Sequence, residues 1–272
     1  MSSPFRADLH CHTTCSDGSL TPTELIARAK EAGLSALAIT DHDTVDAYAE
    51  ATEAAKKAGI ILGTGIEFSS YEGKLSVHVL GYNIDLESPE LLELCKRHQI
   101  RREERNRSIL SKLARLGMNL EEKDLVTIGG RVIGRAHIAL ALVRKGYVNS
   151  TQDAFSRYIG DGKPCFDPGA PITLDETLRV IHAAHGKAFL AHPHLLPEGA
   201  KARKLLEKPF DGIECFYARC PRDQTHRWVD MARDRHLLIS GGSDFHGALK
   251  PQIPLGASWV DEATFNAIFT HA

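Results

Sequence analysis

Residues 5–12 read FRADLHCH, an apolar strand pattern that ends in two histidines, and this stretch guides the interpretation of the whole chain. Because side chains alternate along a strand, His10 and His12 point to one side while Cys11 points to the other. Two imidazoles on one side suit the binding of a single cation. Two histidines at a strand end also occur by chance, so the interpretation depends on the other histidines and carboxylates.

The sequence after this stretch alternates helices with strands. Thr21-Pro22-Thr23-Glu24 forms a capping-box pattern with proline at the first helical position, and Gly33 ends the helix LIARAKEAG. LSALAIT, IILGTGIEF and LSVHVLGYNI read as the next three strands, and the helix TVDAYAEATEAAKKAG separates the first two of them. This alternation predicts βα units and a mainly parallel sheet, which is an α/β fold.

The alternation stops near residue 86. From there to residue 171 the patterns are helical, beginning with the charged segment SPELLELCKRHQIRREERNRSILSKLARLG, so we expect an all-helical insertion or cap over 86–171. Strand and helix patterns resume with LDETLRVIHAAHG, KAFLAHP, DGIECFY and LLISGGSDFHG, and end with GASWV and EATFNAIF. Residues 1–85 and 172–272 are expected to form one metal-binding domain of about seven strands.

The composition is that of an ordinary globular protein. The chain has 272 residues, 43% hydrophobic and 25% charged, with a formal net charge of −2, which gives no general attraction to nucleic acid or membrane. The start of the chain lacks a signal-peptide pattern, and no apolar run approaches the roughly 18 residues of a membrane span, so we expect a cytoplasmic location. The six cysteines show no CxxC spacing, which favours reduced thiols.

Nine side chains of metal-binding type stand at or near the ends of predicted strands. Some have ordinary explanations when taken alone: Asp17 suits a Ser-Asp-Gly turn, and a lone histidine inside an apolar strand, as at His78, is more often a core residue. Such residues, spread over the whole sequence, are what a barrel or open α/β sheet gathers at one edge. The predicted metal ligands are His10, His12, Asp17, His42, Glu67, His78, His192, Asp244 and His246.

This set predicts a hydrolytic metalloenzyme with two to three divalent ions. A water molecule shared by two ions becomes acidic and can attack phosphorus as hydroxide, so Glu67 and Asp244 are expected to be essential to catalysis through the ions. His194 is left open as a phosphate ligand, a proton donor to the leaving oxygen or a loop residue; the proton could also come from water at a third ion. The remaining histidines are expected on solvated faces: His98, His182, His185, His226, His236 and His271.

The segments DLHCHTTCSDG, ITDHDT, AHP and SDFHG occur in the order of the four motifs of the PHP family, named for polymerase and histidinol phosphatase, and the chain resembles that family. The resemblance implies a distorted (β/α)7 barrel that holds two or three ions, often manganese, iron or zinc, and hydrolyses phosphoesters. It implies three ligand sets: His10, His12, Glu67 and Asp244; Glu67, His78 and His192; and Asp17, His42 and His246.

Within the family, the chain is similar to the single-domain nucleotide phosphatases that remove the 3′-phosphate from 3′,5′-nucleoside bisphosphates, and to related RNA exonucleases. The similarity implies that Arg135 and His137, with His194, contact the substrate, the first two by binding its second phosphate. Arg135 and His137 could equally begin a helix in a solvated cap. The predicted insertion supplies further arginines, most of them expected in solvent: Arg101, Arg102, Arg105, Arg107 and Arg131.

Three alternatives to a bisphosphate phosphatase remain at this point. They are a 5′-3′ exoribonuclease on short RNA, a histidinol-phosphate or other sugar-phosphate phosphatase, and a PHP-like module that only binds metal or a protein. A module of the last kind would be recognised by missing ligands, and every expected ligand type is present. The predicted partner is a small phosphorylated nucleotide, with short RNA as the alternative and no sign of a membrane or protein partner.

Overall fold

The fold is α/β, with the strands arranged in two sheets. The structure is a computed structural model and describes residues 4–125, 133–196 and 199–269. The first sheet is parallel, in the order β1 (Ala7–Cys11), β2 (Ala36–Ile39) and β3 (Ile61–Gly63). The second follows chain order and contains β4 (Gly65–Glu72), β5 (Leu75–Tyr82), β6 (Lys187–Leu190), β7 (Gly212–Tyr217) and β8 (Leu238–Gly242). Its β5 strand is antiparallel to both β4 and β6, and the others are parallel.

Two isolated bridges connect the sheets at the edge where the predicted ligands lie. Cys11, the last residue of β1, bridges Phe245 beyond β8, and His42 bridges Glu67 in β4. The main-chain N–H of Asp244 donates to the His10 carbonyl at 2.7 Å, which brings the ends of β8 and β1 together. The α/β class is confirmed. The described strands pair as two sheets of eight strands in all, so the closed (β/α)7 barrel stays a prediction.

Two predicted strands differ in the structure. The stretch expected as one strand at 60–68 is divided at Thr64, because β3 pairs with β2 whereas β4 leaves that sheet to pair with β5. The expected strand GASWV forms one bridge, Val260 to Ala7, because Val260 exchanges main-chain hydrogen bonds with Ala7 alone.

Most predicted helices are present, whereas the helix Gly199–Leu205 was not predicted. The capping box at α1 is confirmed: Thr21 Oγ1 accepts from the Glu24 N–H at 3.2 Å, and Glu24 Oε2 accepts from the Thr21 N–H at 2.8 Å. The described helices are α1 (Pro22–Glu31), α2 (Tyr48–Ala58), α3 (Pro89–Arg115), α4 (Glu122–Leu125), α5 (Arg135–Arg144), α6 (Thr151–Ala154), α7 (Leu174–Ala183), α8 (Gly199–Leu205), α9 (Arg222–Asp234) and α10 (Glu262–Phe269). A π-helical turn, Phe155–Ile159, and two 3₁₀ turns, Pro193–Leu195 and Gly247–Leu249, complete them.

Helix α3 belongs to two hydrophobic clusters. Leu91 and Leu94 near its start pack in the large cluster under the second sheet. Ile109 and Leu113 near its end pack in a separate cluster with residues of α5. The described residues between β5 and α7 contain helices and no strand, but the first half of α3 shares the sheet's core. The boundary of an insertion at 86–171 therefore stays a prediction.

No helix of the described chain is long and apolar enough to cross a membrane.

Candidate metal centre

All nine predicted ligands gather at the edge where the two sheets meet. The ligand atoms of eight of them, all but His192, form three groups, and the atoms of each group lie within 4.8 Å of one another. The groups are His12, Asp17, His42 and His246; His10, His12, Glu67 and Asp244; and His42, Glu67 and His78. The second group equals a predicted set. The first group contains the predicted set Asp17, His42 and His246, with His12 in addition. The third group contains Glu67 and His78 of the remaining predicted set, but with His42 instead of His192.

Glu67 lies at the middle of the centre. Its Oε1 atom is 2.8 Å from His78 Nδ1 and 3.0 Å from His192 Nε2. Its Oε2 atom lies 3.2 to 3.3 Å from nitrogens of three other imidazoles, those of His10, His12 and His42. Glu67 faces all five of these imidazoles from β4, a position that suits a carboxylate bridging two cations.

Asp244 and Asp17 lie on two further sides of the centre. Asp244 Oδ1 is 3.3 Å from His12 Nε2 and 3.5 Å from His10 Nε2. Asp17 Oδ1 is 3.3 Å from His246 Nε2 and 3.7 Å from His12 Nδ1. His12 thus faces both carboxylates, which explains why it belongs to two of the three groups.

Two carboxylates and one imidazole of the centre favour forms that bind cations. Burial alone would raise the pKa of Asp17, but His246 and His42 hold the pKa of that carboxyl well below its usual range. The pKa of Glu67 is lowered in the same way by His42 and His10, against burial. Burial lowers the pKa of His42 to about 3, against the pull of Glu67 and Asp17. Ionised carboxylates therefore stand beside a neutral imidazole, the protonation states that metal binding needs. At His12 the neighbouring Asp244 and Glu67 carboxylates outweigh burial and raise the pKa to about 9, and the pKa of His10 is raised as well.

Several buried nitrogens of the centre have no hydrogen-bond partner in the described chain. They are both ring nitrogens of His12, Nδ1 of His42 and Nδ1 of His192. A buried polar atom without a partner is costly, and a bound ion would satisfy these atoms. Imidazole and carboxylate donors suit manganese, iron and zinc. The residues therefore fit a group of divalent ions, while the ligand roles and the identity and number of ions stay predictions.

Two of the predicted ligands occupy backbone conformations that side-chain-bearing residues seldom adopt. His192 has φ 28° and Asp244 has φ 56°. Positive φ costs energy in a residue other than glycine, and such positions cluster at functional sites. Both residues directly follow a buried strand.

Three side chains that support the centre were missed from the sequence. Glu214 in β7 accepts a hydrogen bond from His10 Nδ1 at 2.8 Å and one from the His192 main-chain N–H at 2.7 Å. Tyr217 OH and Lys250 Nζ contact Asp244 Oδ2 at 2.7 and 2.5 Å. A buried glutamate in the apolar strand DGIECFY was a usable signal for Glu214, whereas nothing in the sequence sets Tyr217 and Lys250 apart.

His194 lies beside the centre in the 3₁₀ turn Pro193–Leu195. Its ring centroid is 4.5 Å from that of Tyr217, and burial, with His192, lowers the pKa of its imidazole. It belongs to none of the three ligand groups, so its role in catalysis or substrate binding stays a prediction.

A cluster of buried arginines flanks the Asp17 side of the centre. Arg101, Arg102 and Arg105 on α3 are only 3 to 6% exposed, so the expectation of solvated arginines is wrong for these three. Each turns inward because the middle of α3 packs against the protein on both sides. Arg107 is exposed as expected, with 66% of its side chain accessible. Arg131 lies outside the described residues, as does His271.

The three buried arginines differ in their partners. Arg102 Nε donates to Asp43 at 2.6 Å, and Arg101 donates to the Pro168 carbonyl at 2.8 Å. Nε and Nη2 of Arg105 have no partner among the described residues. Burial, together with Arg102, Arg135 and Arg101, lowers the pKa of Arg105 to about 9. Arg105 is therefore a buried cation that has no anion beside its Nε and Nη2 among the described residues.

The start of α5 lies between this cluster and the centre. A Cβ atom placed on Gly134 would be 3.5 Å from Arg102 Nη1 and 3.9 Å from Asp17 Oδ2. His137 is buried, its Nδ1 accepts from the Gly134 N–H at 3.1 Å, and its Nε2 has no partner in the described chain. Arg135 instead forms an ion pair with Asp161. His137 and Arg105 thus contribute unpartnered donors on this side.

The histidine expected on a solvated face at position 98 is buried. His98 is 0% exposed and its Nδ1 lies 3.2 Å from Asp43 Oδ1. The expectation is wrong because the buried carboxylate of Asp43 points toward α3 and faces both His98 and Arg102. Of the other histidines, His185, His226 and His236 are exposed as expected, and His182 is half-buried against Asp211.

A cavity of about 430 Å³ opens from the His78 and His192 side of the centre. Its lining combines two of the predicted ligands with apolar and charged residues: Lys74, Leu75, Ser76, His78, Asp161, His192, Leu195 and Leu196. The centre therefore has the arginine cluster on one side and an open cavity on another.

Comparison with known proteins identifies the family. A family model for the PHP domain matches residues 8–160. The chain is 38% identical over 245 residues to a 5′-3′ exoribonuclease of Haemophilus influenzae, covering 88% of this chain and 89% of that protein. It is 34% identical over 247 residues to a 3′,5′-nucleoside bisphosphate phosphatase of Chromobacterium violaceum, covering 88% and 86%.

The fold also matches a solved structure. It resembles a Bifidobacterium adolescentis protein, predicted to be a metal-dependent phosphoesterase, with a TM-score of 0.88 and 29% identity, covering 98% of this chain and 96% of that one. The chain therefore belongs to the PHP domain family and is a metal-dependent phosphoesterase.

Proposed function

We propose that the protein removes the 3′-phosphate from 3′,5′-nucleoside bisphosphates such as adenosine 3′,5′-bisphosphate. The observation that carries this proposal is Arg105, a buried guanidinium of the arginine cluster whose Nε and Nη2 have no partner among the described residues. A buried charge without a partner costs several kcal/mol in order of magnitude, and a bound phosphate removes that cost through charge-assisted hydrogen bonds. A substrate with two phosphates can occupy the arginine cluster and the metal centre together.

The arginine side also carries neutral donors for a second phosphate. The first main-chain N–H groups of α5, which begins at Arg135, and the unpartnered Nε2 of His137 lie on this side. A helix N-terminus favours anions because its first N–H groups are free and its dipole is positive there. Arg105, His137 and the start of α5 thus form a phosphate subsite in the proposal.

The nine predicted ligands would hold the ions. Divalent ions bound there would supply Lewis-acid chemistry, polarising the phosphoryl oxygens and lowering the pKa of water toward neutrality. Glu214, Tyr217 and Lys250 hold His10 and Asp244 in place. His194, half-buried beside Tyr217, is the side chain proposed to donate the proton to the leaving ribose oxygen. Manganese and a cytoplasmic location remain part of the proposal.

A second candidate function is 5′-3′ hydrolysis of short RNA. The cavity at His78 and His192 favours it, because it gives room for a nucleotide beyond the reacting phosphorus. The chemistry is the same in both cases: the bond between phosphorus and the ribose O3′ breaks in a nucleotide whose 5′-phosphate is anchored. One relative named for each activity matches the chain, the exoribonuclease at 38% identity and the bisphosphate phosphatase at 34%.

The other two alternatives receive less support. A histidinol-phosphate or sugar-phosphate substrate carries one phosphate and leaves Arg105 unpaired. A module that only binds metal or a protein does not agree with membership of the PHP domain family and with relatives named as an exoribonuclease and a phosphatase.

A phosphate-release panel with manganese tests the proposal. We expect the highest kcat/KM for 3′,5′-bisphosphates, measurable nucleotide release from 5′-phosphorylated RNA oligomers, and low values for 5′-monophosphates and histidinol phosphate. Oligomers with a 5′-hydroxyl should react more slowly than 5′-phosphorylated ones, because the anchoring phosphate is absent. Equal rates on histidinol phosphate and the bisphosphate would contradict the proposal.

A further inference from the structure

Glu214 connects two predicted ligands that come from distant parts of the chain. Its carboxylate is 1% exposed at the middle of β7. Oε1 lies 2.8 Å from Nδ1 of His10, a residue of β1, and Oε2 accepts from the main-chain N–H of His192, just after β6, at 2.7 Å. Both oxygens are thus used, each on a different side of the metal centre.

We propose that Glu214 is a positioning residue that sets the metal-binding form of His10 and the backbone of His192 at once. The inference rests on the proposed metal-dependent function, because it concerns two residues proposed as ligands. It adds a role for a residue that contacts neither substrate nor ion.

The contact with His10 selects one tautomer. When Nδ1–H donates to a carboxylate, the lone pair is on Nε2, and a ligand imidazole is held in this way by an outer carboxylate in many metal sites. Here the Nε2 atom of His10 faces Glu67 Oε2 at 3.3 Å and Asp244 Oδ1 at 3.5 Å. Glu214 therefore directs the lone pair of His10 toward the carboxylates of the centre.

The contact with His192 holds a strained backbone. His192 has φ 28° and ψ 57°, a region that a residue with a side chain rarely adopts. The conformation persists only if surrounding contacts enforce it. The hydrogen bond from its N–H to Glu214 is one such contact, and it keeps His192 Nε2 at 3.0 Å from Glu67 Oε1.

Replacing Glu214 with glutamine changes these two hydrogen bonds but keeps the size of the side chain. In Glu214→Gln the side chain keeps its volume, but its amide nitrogen is a donor and must face either His10 Nδ1 or the His192 N–H. Facing His10, it forces the proton to Nε2 and blocks the metal-binding nitrogen; facing His192, it removes the acceptor of the strained backbone.

Asp211 offers a matched control. Its Oδ2 atom accepts from His182 Nε2 at 2.8 Å and from the Ala188 main-chain N–H at 2.7 Å, at the opposite end of β6. Asp211→Asn therefore changes a carboxylate to an amide beside the same pair of partner types away from the metal centre. Because one oxygen of Asp211 makes both contacts, the asparagine carbonyl can keep them, so this variant controls for the loss of charge.

The experiment measures manganese affinity by competition with a chelator, bound metal by elemental mass spectrometry, and thermal unfolding. We expect Glu214→Gln to weaken manganese binding about 10- to 100-fold. Asp211→Asn should bind manganese as the wild type does. Unchanged affinity in Glu214→Gln, or an equal loss in Asp211→Asn, would overturn the inference.

A shorter acid gives a second test if the glutamine variant does not fold. Glu214→Asp keeps the charge but cannot reach both partners, so it should also weaken manganese binding; wild-type affinity would overturn the inference. A wild-type protein that holds no transition metal would overturn the proposed function itself, whereas a metal-loaded wild type with an equal Glu214→Gln variant overturns only the role of Glu214.

Discussion

Arg135 is paired with Asp161: its Nη1 atom lies 2.5 Å from the Asp161 carboxylate. The guanidinium also stands 5.3 Å from the centre of the Phe166 ring. Arg135 was the arginine that the sequence singled out for the second phosphate. In the structure that residue already has a carboxylate partner, while Arg105 has none in the described chain.

Replacing Arg105 should affect bisphosphates selectively. We expect Arg105→Met to lower kcat/KM for a 3′,5′-bisphosphate about 100-fold, the equivalent of about 3 kcal/mol for a charge-assisted contact, with less than a twofold change on an aryl phosphate. Thermal stability should stay equal or rise, because an unpaired buried charge is removed. Arg107→Met, an exposed position on the same helix, is the control, and an equal loss on both substrates would contradict the phosphate subsite.

Changes at Arg135 and Asp161 should have opposite effects. Arg135→Met should reduce kcat/KM for the bisphosphate by about 10-fold, less than Arg105→Met, because Asp161 already neutralises Arg135. Asp161→Asn frees the guanidinium and should lower KM by a few-fold. Steady-state kinetics on the bisphosphate decide the point: a larger loss in Arg135→Met than in Arg105→Met would assign the second phosphate to Arg135 instead.

Glu67 should be required for metal retention. Glu67→Gln keeps the volume but removes the charge that faces five imidazoles, so we expect at least one equivalent of metal to be lost and kcat to fall below detection. Asp244→Ala should behave likewise. Glu72→Gln, on the same strand but half-buried and paired with Lys208, should retain two to three equivalents by elemental mass spectrometry. Full activity in a metal-stripped wild type would refute metal dependence.

The capping box of α1 should contribute to stability without affecting activity. Thr21→Ala removes the acceptor of the Glu24 N–H, and we expect the free energy of unfolding to fall by about 1 kcal/mol. Urea denaturation measures this change. Thr23→Ala, an exposed neighbour in the first turn, should change it by less than about 0.5 kcal/mol. A loss of turnover in Thr21→Ala would show that the helix start does more than stabilise the fold.

His98 should make the fold sensitive to acid. Burial lowers the pKa of His98 from 6.5 to about 4, against the pull of Asp43. The unfolded chain therefore binds the proton more readily, so the contribution of His98 is complete above pH 6.5 and is lost as the pH falls toward 4. The loss amounts to roughly 3 kcal/mol at pH 4.

The variant His98→Gln isolates this effect. Its free energy of unfolding should fall less than that of the wild type between pH 6.5 and 4, whereas His226→Gln, at an exposed position, should follow the wild type. Denaturation at several pH values measures both. Identical pH profiles for wild type and His98→Gln would show that His98 is not buried in its neutral form.

The candidate site was predictable because histidines and carboxylates, the residue types that bind metal ions, stand at or near the ends of predicted strands. His10 and His12 stand two residues apart at the end of β1, so strand alternation directs both imidazoles to one side. Asp244 and His246 have the same spacing but lie beyond β8. Parallel strands bring their ends to one edge, which allowed residues from position 10 to 246 to be grouped without knowing any distance, although Glu67 and His78 lie inside the antiparallel pair β4 and β5.

The arginines show where such reasoning fails. A helix with many charges is usually solvated, and the sequence of α3 gives no reason to separate Arg105 from Arg107. Their exposure differs because α3 packs on the sheet core at its start and on the α5 cluster at its end. Only the path of that helix through the fold turns one guanidinium inward and leaves the other in solvent.

The sequence by itself therefore determined the α/β class, the first capping box and the set of side chains predicted to bind metal, since these follow from local periodicity and residue chemistry. The tertiary structure decided which imidazole faces which carboxylate, that Glu214 joins His10 to His192, and that the buried Nε and Nη2 of Arg105 have no partner in the part of the chain described. The physical reason is range: strand periodicity acts over a few neighbouring residues, whereas burial and pairing depend on side chains from elements that are remote along the chain.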